Sequence, residues 1–312
     1  MSSAPPTAGG VAFIFPGQGS QEPGMGREFF SDPELSDLAE RCSNASGVDL
    51  RHLLCTAGDD ELKLTQNAQP ALLFTGLALA RLMARRGIEP RAAAGHSVGE
   101  YCALVVAGAL TPEEGVRVVA ERGRAMARAA GPGEGGLVAV LGLPAVEVER
   151  VLDGLDAVWP ANYNTPTQTV VGGRTAPLQL ASEALLAAGA RRALPLNVAA
   201  AFHTPLMAPA ADGLRAVLEQ VEWRRPAFAV VANLDAEPHL EPERIAGVLS
   251  AQLSSAVRWS DCIARLCAMG CTTFYELGPK RALSGMMREL APQAEARPVS
   301  TPAAVDELSP PG

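Results

Sequence analysis

Short strand-like apolar runs alternate with longer helix-like stretches along most of this 312-residue chain. Val11 to Phe15 is a compact apolar run that predicts a strand, and small residues at 90–94 predict a second, buried strand. Apolar positions at helical spacing follow near residues 33–45, 69–86 and 112–129. Regular alternation of the two kinds of element predicts an α/β layer fold.

A break at GPGEG, residues 131–135, separates this pattern from a different one. The order after it is strand, helix, strand, strand, helix, strand, over residues 137–141, 145–155, 157–163, 168–172, 176–188 and 191–196. That order is the ferredoxin-like arrangement. We therefore predict a small ferredoxin-like subdomain at 132–199, inserted in a larger catalytic subdomain formed by 11–131 and 200–295.

The larger subdomain is expected to continue after the insertion. Two helices and two strands are predicted there, near residues 207–220, 241–254, 227–233 and 273–277. Both ends of the chain are rich in Pro, Ser, Ala and Gly, a composition that disfavours a packed core. We predict flexible termini at 1–10 and 296–312.

The net charge of −8 at pH 7 argues against nucleic acid as the main partner, because phosphate binding needs a basic surface. No apolar run is long enough to span a bilayer, and the first residues lack the basic and apolar regions of a signal peptide. The six cysteines form no C-x-x-C pair and have no histidine at zinc-ligand spacing. We predict a cytoplasmic protein with free thiols, no metal site and no membrane partner.

The segment that carries most chemical information is Gly95-His96-Ser97-Val98-Gly99, which lies between the predicted strand at 90–94 and a stretch of helix composition. In that context, G-x-S-x-G is typical of a nucleophile elbow, in which a sharp turn presents the serine hydroxyl. The glycines allow backbone conformations that a side chain forbids, and the following helix directs N–H groups at an oxyanion. The alternative is an ordinary turn rich in Gly and Ser.

A serine nucleophile needs a general base within hydrogen-bond reach, and the chain has only four histidines. His96 is a poor candidate, since side chains of successive residues on a sharp turn diverge. His52 lies in an ordinary amphipathic segment, and His239 lies in an acidic, Pro-flanked loop that is expected to face solvent. His203 lies where the small subdomain rejoins the larger one, a junction at which a cleft is expected. Elimination favours His203 as the base of Ser97, with a structural histidine as the alternative.

The loop at 16–21, PGQGSQ, follows the first predicted strand, where α/β folds place ligand-facing loops. It lacks the Gly-Lys-Ser/Thr ending of a phosphate-binding loop. Its glycines allow a backbone N–H to face an anionic oxygen, which is the chemistry of an oxyanion hole. A Gly-rich turn without a function is the alternative.

Arg122 falls on the apolar stripe of the predicted helix at 112–129, together with Val116, Val119 and Met126. A guanidinium on an apolar face needs an anionic partner, because burying its charge alone is costly. That partner is either a structural Asp or Glu, which is the commoner case, or a carboxylate of the substrate bound by both guanidinium nitrogens.

Together, five motifs resemble those of malonyl-CoA:acyl carrier protein transacylases and of the acyltransferase domains of polyketide synthases. The motifs are FPGQGSQ at 15–21, GHSVGEY at 95–101, ERGRAM at 121–126, AFHTPLM at 201–207 and QLSSAVRW at 252–259. The resemblance covers about residues 11–290, with the motifs in the family's order. It implies an α/β-hydrolase-like large subdomain with an inserted ferredoxin-like small subdomain.

The resemblance also implies roles for individual residues. Ser97 would be the acyl-accepting nucleophile and His203 its base. The backbone N–H groups of Gln18 and Val98 would form the oxyanion hole.

Four further residues are placed with the substrate by the same resemblance. Arg122 would pair with the free carboxylate of a malonyl-type group, and the backbone carbonyl of Gln252 would orient the catalytic histidine in place of an acid. Phe202 is similar to the malonyl-selective form of its motif, and His96 is grouped with the substrate-binding residues. Ala200 departs from the His or Tyr of polyketide domains, which leaves the extender unit open.

The implied function is ping-pong acyl transfer from a coenzyme A thioester to the phosphopantetheine thiol of an acyl carrier protein. No cofactor is implied, and we expect a monomer. Three alternatives remain: a polyketide acyltransferase that takes a different extender unit, a proofreading hydrolase acting on acyl carrier proteins, and a non-catalytic carrier-binding scaffold.

Overall fold

In the computed structural model, which describes residues 9–129, 135–198 and 200–309, strands and helices alternate along the chain. The strands are β1 (Gly10–Phe15), β2 (Ala92–Gly95), β3 (Gly135–Leu141), β4 (Val158–Thr165), β5 (Gln168–Arg174), β6 (Arg192–Pro195), β7 (Ala229–Val231), β8 (Cys271–Leu277) and β9 (Glu295–Val299). The helices up to the small sheet are α1 (Pro33–Ser46), α2 (Leu50–Cys55), α3 (Asp59–Leu62), α4 (Thr65–Arg85), α5 (Val98–Val106) and α6 (Pro112–Ala129). The later helices are α7 (Ala145–Leu152), α8 (Thr175–Ala187), α9 (Ala208–Leu218), α10 (Pro242–Gln252), α11 (Trp259–Ala268), α12 (Ala282–Leu290) and α13 (Pro302–Asp306).

A parallel five-stranded sheet with the order β7-β2-β1-β8-β9 forms the centre of the larger part. Its middle strand is buried on both faces: Phe13 and Phe15 pack in one apolar cluster, Ala12 and Ile14 in another. Parallel sheets need such cover on both sides, which explains why β1 is apolar throughout rather than alternating with polar residues.

A separate antiparallel sheet has the order β4-β5-β3-β6, and all four of its strands lie between residues 135 and 195. Along β3, Val138 and Val140 face the cluster formed with α7 and α8, whereas Leu137 and Ala139 join the main core. The predicted α/β fold, with a ferredoxin-like sheet beside a parallel one, is confirmed. The limits 132–199 for the inserted subdomain remain a prediction.

Backbone hydrogen bonds attach the small sheet to the larger part along the edge strand β4. Tyr163 N donates to Val257 O at 2.9 Å, and Val257 N donates to Ala161 O at 2.9 Å. At the β4–β5 turn, the backbone N–H and the hydroxyl of Thr167 both donate to Glu289 Oε1 on α12, each at 3.0 Å. These contacts fix the position of the small sheet next to the segment that follows α10.

The connection from β2 to α5 is tight enough to require glycine at two positions. A Cβ added to Gly95 would lie 1.8 Å from the carbonyl carbon of Gly99, and one added to Gly99 would lie 2.2 Å from Phe15 O. Real Cβ atoms do not approach backbone so closely, so β1, β2 and α5 can meet in this way only with glycine there. The elbow predicted from G-x-S-x-G is therefore present, with Ser97 at its turn.

The prediction of a flexible segment at 296–312 is wrong for the residues the structure describes. Residues 295–299 form the edge strand β9, which pairs in register with β8, and the following α13 buries Val305. Composition suggested disorder because Pro and Ser are frequent. An edge position nevertheless tolerates proline, and β8 supplies the hydrogen-bond partners that the segment alone lacks. Residues 1–8, 130–134, 199 and 310–312 lie outside the described part, so the flexible N-terminus and the break at 131–135 are largely untested.

Five of the described helices were not predicted: α2, α3, α11, α12 and α13. The largest of these are α11 and α12. Both pack on the face of the parallel sheet that carries Ala12 and Ile14. Among the described helices, none combines the length and the apolarity needed to cross a membrane.

If α13 is part of the folded unit, Val305→Ala should destabilise the protein. Val305 is 1% exposed, and shortening a buried aliphatic side chain costs about 2 kcal/mol through lost burial and an unfilled cavity. The measurement is the free energy of unfolding in urea. Glu307→Ala, at an exposed position directly after the same helix, serves as the control and should change little. Equal stability of Val305→Ala and wild type would show that α13 does not contribute to the fold.

Candidate active site

Ser97 lies at the turn between β2 and α5 with a left-handed backbone, φ 54° and ψ −108°. Asn233, two residues beyond β7, stabilises this turn from the neighbouring strand. Its Oδ1 accepts from Ser97 N at 2.7 Å, and its Nδ2 donates to Gly95 O at 2.8 Å. The two residues meet because β7 and β2 are parallel neighbours whose carboxyl ends lie at the same edge of the sheet.

The Ser97 hydroxyl is hydrogen-bonded to the histidine that elimination favoured. Ser97 Oγ lies 2.7 Å from His203 Nε2, and His203 Nδ1 lies 3.0 Å from the backbone carbonyl oxygen of Gln252. A carbonyl can only accept, so Nδ1 carries the proton and Nε2 is left to accept the serine proton. This is the geometry of a nucleophile and its general base, oriented by a carbonyl instead of a carboxylate.

Burial determines the protonation of His203, whose exposed fraction is 5%. Loss of water around the imidazole, reinforced by the positive charge of Arg122, lowers the pKa of His203 to about 3. The imidazole is therefore neutral at neutral pH, which is the form that can accept a proton.

Arg122 projects from α6 into the same centre and is fully buried. Its Nη2 donates to Ser97 Oγ at 3.0 Å and to Gln252 Oε1 at 3.0 Å, and its Nη1 donates to Gln69 Oε1 at 2.8 Å. Within the described ranges no carboxylate forms an ion pair with Arg122, and its Nε has no hydrogen-bond partner. Burial lowers the pKa of Arg122 and so disfavours its charge. A direct structural acid, one of the two partners considered for Arg122, is thus missing from the described residues.

The two residues predicted to form an oxyanion hole lie at the ends of adjacent strands. Val98 is the first residue of α5, so its backbone N–H is one of those that a helix leaves without a carbonyl partner. Gln18 follows β1, and its side-chain Nε2 donates to Thr65 Oγ1 at 3.2 Å. The loop is close to the elbow, since a Cβ at Gly17 would lie 2.8 Å from His96 O. Their role in binding an oxyanion remains a prediction.

His96 and Phe202 flank the nucleophile and its base in the sequence. His96 Nε2 lies 3.0 Å from Asn164 Oδ1 on β4, and burial lowers the pKa of His96. Its ring packs at 5.6 Å from that of Trp259. Phe202 is buried directly before His203. Contact of either residue with a substrate remains a prediction.

The prediction that His239 faces solvent is wrong. His239 is buried, and its Nε2 lies 2.7 Å from Glu100 Oε1. The acidic, Pro-flanked loop is held against the core because His239 N donates to Val230 O at 2.8 Å. The residues next to His239 show that the loop is polar. They do not show that Glu100, which is distant in the sequence, pairs with His239 inside the protein.

Sequence reasoning also missed Glu100, Asn233 and Gln69, all of which are buried next to the predicted residues. Signals for them were present. Glu100 is the only charged residue of the otherwise apolar α5, Asn233 closely follows a buried strand, and Gln69 precedes a long apolar run. A polar residue in such a position needs a buried partner, which makes it a candidate for the site. In the part of the chain described, no group of three His, Cys, Asp or Glu residues could hold a metal ion.

Comparisons with known proteins agree with this geometry. The sequence model of the acyl transferase domain family matches residues 12–306. A malonyl CoA-acyl carrier protein transacylase of Bacillus subtilis is 39% identical over 301 residues, covering 95% of each chain. The structure of a transacylase with the same name from Coxiella burnetii has a TM-score of 0.91 at 36% identity and covers 96% of each chain.

A third similar structure is a malonyl-transacylase in complex with its type II polyketide synthase acyl carrier protein. It has a TM-score of 0.90 at 36% identity, with 95% of this chain and 98% of that chain covered. The residues matched by the family model, 12–306, include Ser97, Arg122 and His203. The chain therefore belongs to the acyl transferase domain family, and within it is similar to malonyl-transferring members.

Proposed function

We propose that this protein transfers a malonyl group from coenzyme A to the phosphopantetheine thiol of an acyl carrier protein, with Ser97 as the acyl-accepting nucleophile. The observation that carries the proposal is the position of Arg122. Its Nη2 lies 3.0 Å from Ser97 Oγ. The same oxygen lies 2.7 Å from Nε2 of His203, the proposed base. A serine with a base explains acyl transfer, and a buried cation beside it suits an acyl group that ends in a carboxylate.

In the first half-reaction, Ser97 Oγ attacks the thioester carbonyl carbon while His203 Nε2 accepts the hydroxyl proton. The carbonyl oxygen becomes an oxyanion, which we assign to the backbone N–H groups of Gln18 and Val98. When the intermediate collapses, the C–S bond breaks and the proton on His203 passes to the sulfur of coenzyme A. The products are malonyl-Ser97 and free coenzyme A.

The second half-reaction uses the same groups in reverse. The carrier-protein thiol gives its proton to His203, and its sulfur attacks the ester carbonyl of malonyl-Ser97. Collapse breaks the C–O bond, and Ser97 recovers the proton. Burial and the charge of Arg122 disfavour an imidazolium, which favours return of the proton from His203 in both halves.

Other functions receive less support. A proofreading hydrolase would use Ser97 and His203 but has no need of a cation for the acyl group. A different extender unit is disfavoured by Phe202, because a bulky ring beside the α-carbon opposes an α-methyl group. One methyl group in a pocket discriminates by about 1–3 kcal/mol, so this selectivity is moderate.

The proposed reaction consists of proton and acyl transfers alone, so we include no metal or redox cofactor in it. Coenzyme A thioester and acyl carrier protein are the proposed substrates. A monomeric, cytoplasmic enzyme remains our prediction.

Incubation with malonyl-CoA should add one malonyl mass to the intact protein, and Ser97→Ala should abolish the adduct because the accepting oxygen is gone. The measurement is intact-protein mass spectrometry. Ser31→Ala, which removes an exposed hydroxyl, is the matched control and should be loaded like wild type. Adding holo acyl carrier protein should then yield malonyl-carrier protein. Release of free malonate instead would indicate the hydrolase.

Arg122→Ala should reduce malonyl loading about 100-fold or more and acetyl loading much less, because acetyl has no carboxylate for the guanidinium to bind. The measurement is kcat/KM for loading from each thioester. Arg124→Ala, two residues further along α6, loses an arginine that pairs with Glu121 near the surface, so it should affect neither. Equal losses with both thioesters in Arg122→Ala would show that Arg122 is structural.

The low pKa of His203, about 3, predicts that loading persists at acid pH. An exposed histidine would be protonated below about pH 6.5, whereas this imidazole stays neutral and kcat/KM should hold to about pH 5. Acetyl-CoA is the suitable donor, since it has no carboxyl group that titrates. Removing the charge with Arg122→Gln should raise the pKa of His203 and move the acid limb to higher pH. A wild-type limb centred near pH 6.5 would contradict a buried, neutral base.

A further inference from the structure

A chain of buried polar side chains runs behind the nucleophile from Arg122 through Gln252 and Glu100 to His239. Arg122 Nη2 donates to Gln252 Oε1 at 3.0 Å, and Gln252 Nε2 donates to Glu100 Oε2 at 2.7 Å. Glu100 Oε1 lies 2.7 Å from His239 Nε2, and the side chains of Glu100 and His239 are 0% and 3% exposed. The reaction proposed above uses neither Glu100 nor His239.

Glu100 makes the shortest of the contacts that orient the Gln252 amide. A guanidinium can only donate and a carboxylate can only accept, so a single orientation of the amide satisfies Arg122 and Glu100 together. The same NH₂ group donates to Ser97 O at 3.2 Å, a longer contact than the one to Glu100. Without a carboxylate at position 100, only this weaker contact opposes a turn of the NH₂ group toward Arg122. Two donors would then face each other in a buried site, and the guanidinium would have to move.

Glu100 also balances the buried charge of Arg122 without touching it. Burial lowers the pKa of Arg122, and the negative charge of Glu100 is among the effects that oppose this shift. Gln252 stands between the two, so Glu100 occupies none of the guanidinium N–H groups. A direct ion pair would compete with a carboxylate of the substrate, whereas this indirect one leaves Arg122 able to bind it.

We propose that Glu100 is a positioning residue for malonyl recognition: it holds the Gln252 amide, and through it the Arg122 guanidinium, in the orientation that receives the malonyl carboxylate, while His239 holds Glu100. The proposal rests on the proposed role of Arg122 in malonyl binding. Asn233 N also donates to Glu100 Oε2, at 2.8 Å. Glu100 is therefore linked to the elbow as well, and part of any loss on substitution is shared by all acyl groups.

The test is the rate of Ser97 loading from malonyl-CoA and from acetyl-CoA in Glu100→Gln. This isosteric change removes the charge, so the hydrogen bond from Gln252 Nε2 then ends on a neutral and weaker acceptor. We expect malonyl loading to fall about 10-fold more than acetyl loading, which is the effect of one hydrogen bond to a charged group. Equal losses with both thioesters in the folded variant would overturn the proposal, because a merely structural role does not distinguish the two acyl groups.

A second pair of variants keeps the proposal testable if Glu100→Gln does not fold. His239→Leu removes the group that faces Glu100 Oε1, and His239→Gln offers an amide N–H of similar reach. The malonyl-to-acetyl ratio should fall about 3-fold or more in His239→Leu and recover in His239→Gln. An unchanged ratio in His239→Leu would overturn the proposal.

The chain provides a matched control in the exposed pair His52–Glu61, whose Nε2 and Oε1 atoms are 3.0 Å apart. His52→Leu should leave both loading rates unchanged, and a fall in the ratio there would overturn the assignment to the buried pair. Failure of the wild type to load from malonyl-CoA would overturn the proposed function and this proposal with it. Normal wild-type loading with an unchanged ratio in the Glu100 and His239 variants would overturn this proposal alone.

Discussion

The backbone of Ser97 is the constraint on which the rest of this site depends. A non-glycine residue with φ 54° costs of the order of 1–3 kcal/mol and persists only where the surroundings over-determine it. Asn233 fixes the turn on both sides by binding Ser97 N and Gly95 O. The bare backbone at Gly99 lets α5 lie against β1. The hydrogen bonds of Asn233 and the close packing of α5 on β1 together hold Ser97 in its strained conformation. In that conformation the hydroxyl points into the site.

Removal of water from this centre disfavours the charged form of both basic side chains, but it suits only one of them. For His203 it lowers the pKa and leaves a neutral imidazole, which suits a base. For Arg122 it disfavours the charge, so the hydrogen bonds that the guanidinium donates to Gln69, Gln252 and Ser97 must compensate for lost hydration. Gln252 joins the two, since its backbone carbonyl orients His203 and its side chain accepts from Arg122. Buried polar networks of this kind are coupled, so a change at one member is expected to affect the others.

Much of the fold and several site residues could be predicted from the sequence because each has a local signature. The buried strand β1, the G-x-S-x-G turn and the arginine on an apolar helix stripe are all readable within a few neighbouring positions. His239 was placed in solvent because its neighbours are acidic residues and prolines, while its buried partner Glu100 lies 139 positions away. The C-terminal segment was predicted as flexible for a similar reason. It is ordered by pairing with β8, and α12 separates the two strands in the sequence.

From the sequence alone we could predict most of the elements, their order and the chemical groups at the ends of the strands, because periodicity and local backbone preference are properties of neighbouring residues. The surroundings of Arg122 and the burial of His239 could not be inferred from neighbouring residues, and the contact of Ser97 with His203, expected from elimination, forms only in the folded chain. Those outcomes depend on parallel strands ending at one edge and on the exclusion of water from the space between them. Hydrogen bonds across 106 and 130 positions, from Ser97 to His203 and from Arg122 to Gln252, arise only when the chain has folded.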